Sequence, residues 1–99
     1  MLQTGNSDFR LTDEDWKTIA KNIDEIYNNF TYRLLSLAKL SETEMQVCYL
    51  IKLEVAPAKM AGMLFKTKSA ITMIRQRLYS KITHKKGSAK ELDEFVKTF

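Results

Sequence analysis

The fold is decided in one stretch: Met60-Ala61-Gly62-Met63-Leu64-Phe65-Lys66-Thr67-Lys68-Ser69-Ala70-Ile71-Thr72-Met73-Ile74-Arg75-Gln76-Arg77-Leu78-Tyr79-Ser80-Lys81-Ile82. Apolar residues recur there at three- and four-residue steps, first at Met60, Ala61, Leu64 and Phe65, then at Ile71, Ile74, Leu78 and Ile82. That rhythm predicts two amphipathic helices, each with one face turned inward. Pro57 suits the first position of the earlier helix, where its missing N–H costs nothing. Lys66-Thr67-Lys68 interrupts the pattern, and Thr67 can cap the later helix. At 100° per residue, the face opposite the later stripe carries Ser69, Thr72, Met73, Gln76 and Ser80, with Arg77 on its shoulder. The Ser, Thr, Gln and Arg side chains of this face can meet base edges or phosphates, and Met73 can contact a thymine methyl group. A short helix, a tight turn and a polar-faced second helix make a helix-turn-helix pattern, with residues 68–82 as the recognition helix. Arg75 projects near the core edge, where its guanidinium can pair with an acid.

Charge points to the same region. Residues 1–40 hold five basic and six acidic side chains, and residues 41–99 hold eleven and six, so the net charges of −1 and +5 make up the chain's +4. No Asp or Glu occurs between Val55 and Lys90, a span with nine Lys and Arg. A polyanion relieves the self-repulsion of such a stretch, because phosphate neutralisation releases condensed counterions. The plainer alternative is a solvated basic face without a partner.

Further helices flank this pair. Leu11-Thr12-Asp13-Glu14-Asp15-Trp16 reads as a helix start, with Thr12 as cap, Asp15 bonding back and Leu11 stapled to Trp16. Trp16, Ile19, Ala20, Ile23, Ile26, Tyr27 and Phe30 then form a stripe expected to be buried. The three acids at 13–15 fit stabilisation by the helix dipole better than a carboxylate site. Asn28-Asn29 predicts a break, followed by a short helix carrying Phe30, Leu34 and Leu37. Ser41 and Glu44 form a second capping box, with Leu40 stapled to Met45, ahead of a central helix containing Val47, Cys48, Leu50, Ile51 and Leu53. Ser88 and Glu91 form a third, opening a last helix with Leu92, Phe95, Val96 and Phe99 on one side.

Length and composition agree with this reading. Ninety-nine residues, 44% of them apolar, with three Gly and one Pro, suit one all-α domain: a compact helical bundle containing a helix-turn-helix, with an N-terminal helical extension. Residues 1–8 are expected to be a flexible leader or linker, 9–39 the extension packed on the core, and 40–99 the helix-turn-helix domain. The longest unbroken apolar run, Met60 to Phe65, is too short to span a bilayer, and the chain start does not resemble a secretory signal, so a cytoplasmic location is expected. Cys48 stands alone, excludes an internal disulfide and reads as a small buried group. His84, among Thr83, Lys85 and Lys86, has no second metal-ligand candidate nearby and is expected to be exposed or near phosphate.

Leu40 to Ile82 resembles the DNA-binding domain of LuxR-type bacterial transcription regulators. Leu40, Ser41, Glu44, Val47, Leu50 and Ile51 match its first helix. Met60, Ala61, Leu64, Thr67, Ala70 and Ile71 match the following pair, and Lys81-Ile82 its closing Lys-Leu. Roughly residues 9–99 resemble the C-terminal output domain of signalling regulators that carry tetratricopeptide repeats and often a transmembrane helix upstream. The resemblance implies an output domain whose sensor or repeat domains lie outside this chain, in the cytoplasm or as the cytoplasmic portion of a membrane-anchored regulator. It places Thr72, Met73 and Gln76 against bases in the major groove, and Lys66, Lys68, Ser69, Arg77 and Lys81 at phosphates or the groove edge. It also implies a homodimer through the last helix, with Leu92, Phe95, Val96 and Phe99 as contacts; closing the monomer core is the equal alternative. Three positions depart from the family: Glu54 replaces a usual turn Gly, Ala56 a capping Ser or Thr, and Thr72 a common Lys. A turn of different shape and weaker binding to isolated sites are the consequences expected.

Double-stranded DNA is therefore the expected partner. The alternative is a protein-interaction or anionic-surface module using the basic 55–90 segment as an amphipathic helix. No nucleophile and base set, glycine-rich phosphate loop or metal-ligand spacing is present, so neither an enzyme, a cofactor nor a small-molecule substrate is expected.

Overall fold

The structure, a computed structural model, describes residues 11–99; the expected leader 1–8 and the first two residues of the extension lie outside the described residues. It is all-α, with α1 Asp13–Ile26, α2 Phe30–Leu35, α3 Glu42–Lys52, α4 Pro57–Met63, α5 Lys68–Thr83 and α6 Ala89–Thr98. All three predicted capping boxes form: Thr12 with Asp15, Ser41 with Glu44, and Ser88 with Glu91. Each gives a helix start two reciprocal hydrogen bonds that would otherwise be left to water. Ala56 precedes Pro57 at the start of α4 with no side-chain cap bond. No helix among the described residues is long and apolar enough to cross a membrane.

Left-handed residues close the helices. Asn28 and Asn29, at φ 54° and 59°, break the chain where the sequence predicts. The Asn29 N–H bonds back to the Asp24 carbonyl, and the Asp24 carboxylate accepts the Thr31 N–H at 2.7 Å, supplying the cap that Asn29 does not give α2. Glu54, at φ 61°, follows α3, where its N–H reaches the Ile51 carbonyl and the Val55 N–H reaches that of Leu50. Phe65, at φ 56°, ends α4 in the same way through Gly62 and, via the Lys66 N–H, Ala61. These are Schellman turns with Glu and Phe in the position glycine favours, which costs on the order of 1 kcal/mol each.

The core runs through every helix. Ile23, Phe30, Leu34, Val47, Cys48, Leu50, Met60, Ile71, Leu78, Leu92 and Val96 are essentially without solvent contact. The most extensive helix contact is α5 against α6, and α3 meets α1, α5 and α6. The N-terminal extension is fastened to the last helix by long-range contacts. Phe99 meets the Phe30 ring edge-on at 6.0 Å, and Arg33 lies over the Phe99 ring while donating to the Phe99, Tyr27 and Asn28 carbonyls. Lys52 is buried beneath the Tyr27 and Phe30 rings, and its ammonium caps α6 through the Val96 and Lys97 carbonyls. Burial, with Arg33's charge added, pushes its pKa down.

Several expected core residues lie outside. Ile26 is 71% exposed, because α1 ends there and the chain turns away through Asn28-Asn29. Tyr27 is partly exposed at the same end, and Leu37 falls beyond α2 on the surface. Phe65, expected to face inward, is 59% exposed: its left-handed backbone ends the helical rhythm and turns the ring out.

Candidate nucleic-acid interface

The helix α5 is held by its N-terminal cap, its buried stripe and an ion pair to α6. Thr67 caps it, accepting the Ala70 N–H at 3.0 Å. Ile71, Leu78 and Ile82 are buried as predicted, and Ile74 is half-buried. Arg75 is buried too and forms a two-point pair with Asp93 on α6, with Nε 3.0 Å from Oδ1 and Nη2 on Oδ2. Tyr79 fixes the far end: its ring lies so close to Gly87 that a Cβ there would overlap it, and a larger residue would displace the ring or the segment after α5. Apolar residues and the Arg75 pair set the rotation of α5, which decides the side chains that face outward.

Those outward residues are Ser69, Met73, Gln76, Arg77 and Ser80, all exposed, with Thr72 half-buried beside them. Lys66 and Lys68 stand at the start of the helix, also exposed. From Lys68 to Arg77 the helix rises about 13 Å, comparable to the ~12 Å width of the DNA major groove. Cations at that spacing can meet phosphates on both sides while Thr72, Met73 and Gln76 face the bases between them.

Lys81 is placed differently. Its ammonium lies 2.9 Å from the Glu44 carboxylate and joins the end of α5 to the start of α3. Burial acts to raise the Glu44 pKa but is outweighed by the Ser41 N–H and the Lys81 ammonium, leaving it below its ordinary value. Lys66, Lys68, Arg77, Lys85, Lys86 and Lys90 form no ion pair among the described residues. Their charge is free to act outward.

Sequence reasoning missed the contribution of the segment after α5. Lys86 and Gly87 join Gln76, Arg77 and Ser80 around an open groove of about 420 Å³ on the outer face of α5. The acid-free stretch marks Lys85 and Lys86 as basic, yet only the Tyr79–Gly87 approach brings that segment beside the helix. His84 is exposed at the left-handed end of α5, and no metal-binding cluster occurs among the described residues.

The four residues expected at a dimer contact divide. Leu92 and Val96 are fully buried against the monomer core, so the core-closing alternative applies to them. Phe95 and Phe99 stack at 5.3 Å and are only half-buried. Cys48 is buried as expected, and burial, with Glu44's charge added, pushes its thiol up to about 12, which removes it as a nucleophile at neutral pH. No protein-family model matches this chain, and no curated protein and no solved structure matches it.

Proposed function

We propose that this chain binds duplex DNA, with α4 and α5 as a helix-turn-helix and α5 in the major groove, as the output domain of a bacterial transcription regulator of LuxR-like type. One observation carries the reading. The outer face of α5 presents hydrogen-bonding side chains and Met73, bordered by exposed cations that no described carboxylate neutralises. Thr72, Met73 and Gln76 read bases; Lys66, Lys68, Ser69 and Arg77 set register on phosphates. Lys85 and Lys86 extend the phosphate contacts past the end of the helix. Lys81 reaches phosphate only by leaving Glu44, so its contribution is smaller. A docking helix that offers its apolar side to a protein or membrane is disfavoured, because Ile71, Leu78 and Ile82 are buried in the core.

Fluorescence anisotropy with a random duplex at several salt concentrations tests this, with acidic vesicles as a control and a variant lacking Lys66, Lys68 and Arg77. The reading expects salt-steep DNA binding that the variant loses. Vesicle binding without DNA binding at low salt counts against it. Lys68→Ala reduces the salt slope by about one, whereas Gln76→Ala changes sequence preference.

A further inference from the structure

Two of the free cations beside α5 share one hollow. Arg77 on the helix and Lys86 on the segment after it line the open groove together with Gln76, Ser80 and Gly87, and no acid lines it. Both cations are exposed and form no ion pair among the described residues. Glu91 lies close to Gly87, but its carboxylate accepts the Ser88 N–H at 2.9 Å and does not line the groove. Two like charges around one hollow repel each other unless an anion sits between them. The backbone holds Lys86 there from both sides. His84, at φ 62°, turns the chain out of α5, with its N–H on the Ser80 carbonyl at 2.8 Å. The Thr83 hydroxyl donates to the Tyr79 carbonyl and accepts the Lys85 N–H. Beyond Lys86, Gly87 lies against the Tyr79 ring and Ser88 enters the capping box of α6, which the Arg75–Asp93 pair ties back to α5. The segment that carries Lys86 is thus ordered before any ligand arrives, which spares binding part of its entropy cost.

Arg77, Lys86 and Ser80 suit one phosphodiester: two cations meet its charge, and a hydroxyl can donate to its oxygens. The aliphatic stems of Arg77 and Lys86 offer apolar contact to the sugars on either side. We propose that this groove holds a single phosphate of the DNA backbone, gripped by Arg77 from the helix and by Lys86 from the segment after it. The inference rests on duplex binding by α5 and deepens it, by fixing how many phosphates these two cations meet. Because both line the same groove, they converge on one phosphate. Lys66 and Lys68 stand at the opposite end of α5, so the helix is pinned at both ends with Thr72, Met73 and Gln76 between. A grip on the backbone sets register and carries no sequence preference.

Counterion release makes the sharing measurable. The slope of log K against log salt counts the phosphates neutralised, so two cations on one phosphate count about once and two cations on two phosphates about twice. The full chain is titrated with a random duplex at several salt concentrations, beside Arg77→Gln, Lys86→Gln and the double variant. Lys68→Ala serves as the reference for a cation with its own phosphate. Both groove cations are exposed, so the substitutions leave the core intact, and circular dichroism confirms that each variant is folded. Each single variant is expected to bind more weakly with its slope nearly unchanged, because the remaining cation still neutralises the phosphate. The double variant is expected to lose about one unit of slope, as Lys68→Ala does. A loss of about one unit in each single variant and about two in the double means two separate phosphates. An unchanged slope in all three places the groove away from DNA. Either result overturns the shared phosphate while duplex binding by α5 stands. No duplex binding by the wild type at low salt overturns that reading itself, and the shared phosphate with it.

Discussion

Removing the carboxylate at Asp93 is expected to destabilise the protein by about 3 kcal/mol, several times the effect of breaking an exposed ion pair. The Arg75 side chain is 9% exposed and that of Asp93 20%, and their bidentate pair joins α5 to α6. Asp93→Ala leaves a guanidinium enclosed by α5 and α6 with no counter-charge, a change that typically costs about 3–5 kcal/mol, whereas an exposed pair is worth roughly 0–1. The lower end applies because Asp93 keeps some access to water. For a domain of this size the loss lowers the melting temperature by roughly 15 °C. Equilibrium urea unfolding of wild type, Asp93→Ala, Arg75→Met and the double variant Arg75→Met, Asp93→Leu separates lost attraction from stranded charge. The double variant is expected within about 1 kcal/mol of wild type, since apolar groups of similar volume replace a buried pair at little cost. A loss below about 1 kcal/mol in Asp93→Ala, or a double variant less stable than both single ones, would mean that the pair does not act as a buried one.

Other consequences are local. Glu54→Gly is expected to raise stability by about 1 kcal/mol in urea unfolding, by relieving a left-handed glutamate. Cys48 is expected to react with a thiol reagent at neutral pH only as fast as the fold opens, so its labelling rate should rise with sub-denaturing urea. Because the Glu44 pKa lies below its ordinary value of 4.5, its contribution is complete above that pH and is lost as the pH falls through the folded-state value. Glu44→Gln should therefore cost roughly 1 kcal/mol at pH 7 and progressively less toward pH 3, measured by thermal unfolding across that range.

What the sequence discloses is mostly local. Capping residues lie three positions apart, so Thr12, Ser41 and Ser88 announce their helices without reference to the rest of the chain. The inward stripe of α5 is legible for the same reason, and the core-edge position of Arg75 anticipates an acid partner without identifying Asp93. Contacts between distant segments are not legible: nothing near Arg33 or Lys52 indicates that both close onto the end of α6. Nor does periodicity show where a helical stripe stops being covered. Ile26 and Phe65 keep the rhythm in sequence, but their helices end at the neighbouring turns. At the α5 surface the wheel selects the right outward residues, while Lys81 is diverted by Glu44 and Lys86 is brought in by the Gly87 approach to Tyr79.

The outer face of α5 is tested most directly by amide chemical-shift mapping on the labelled protein, titrated with a random duplex at low salt. Duplex binding through α5 gives shifts concentrated in residues 66–80 and 85–87, fading as salt is raised, with Trp16 unaffected. Shifts centred on α1 and α3, or none at any salt concentration, overturn that assignment.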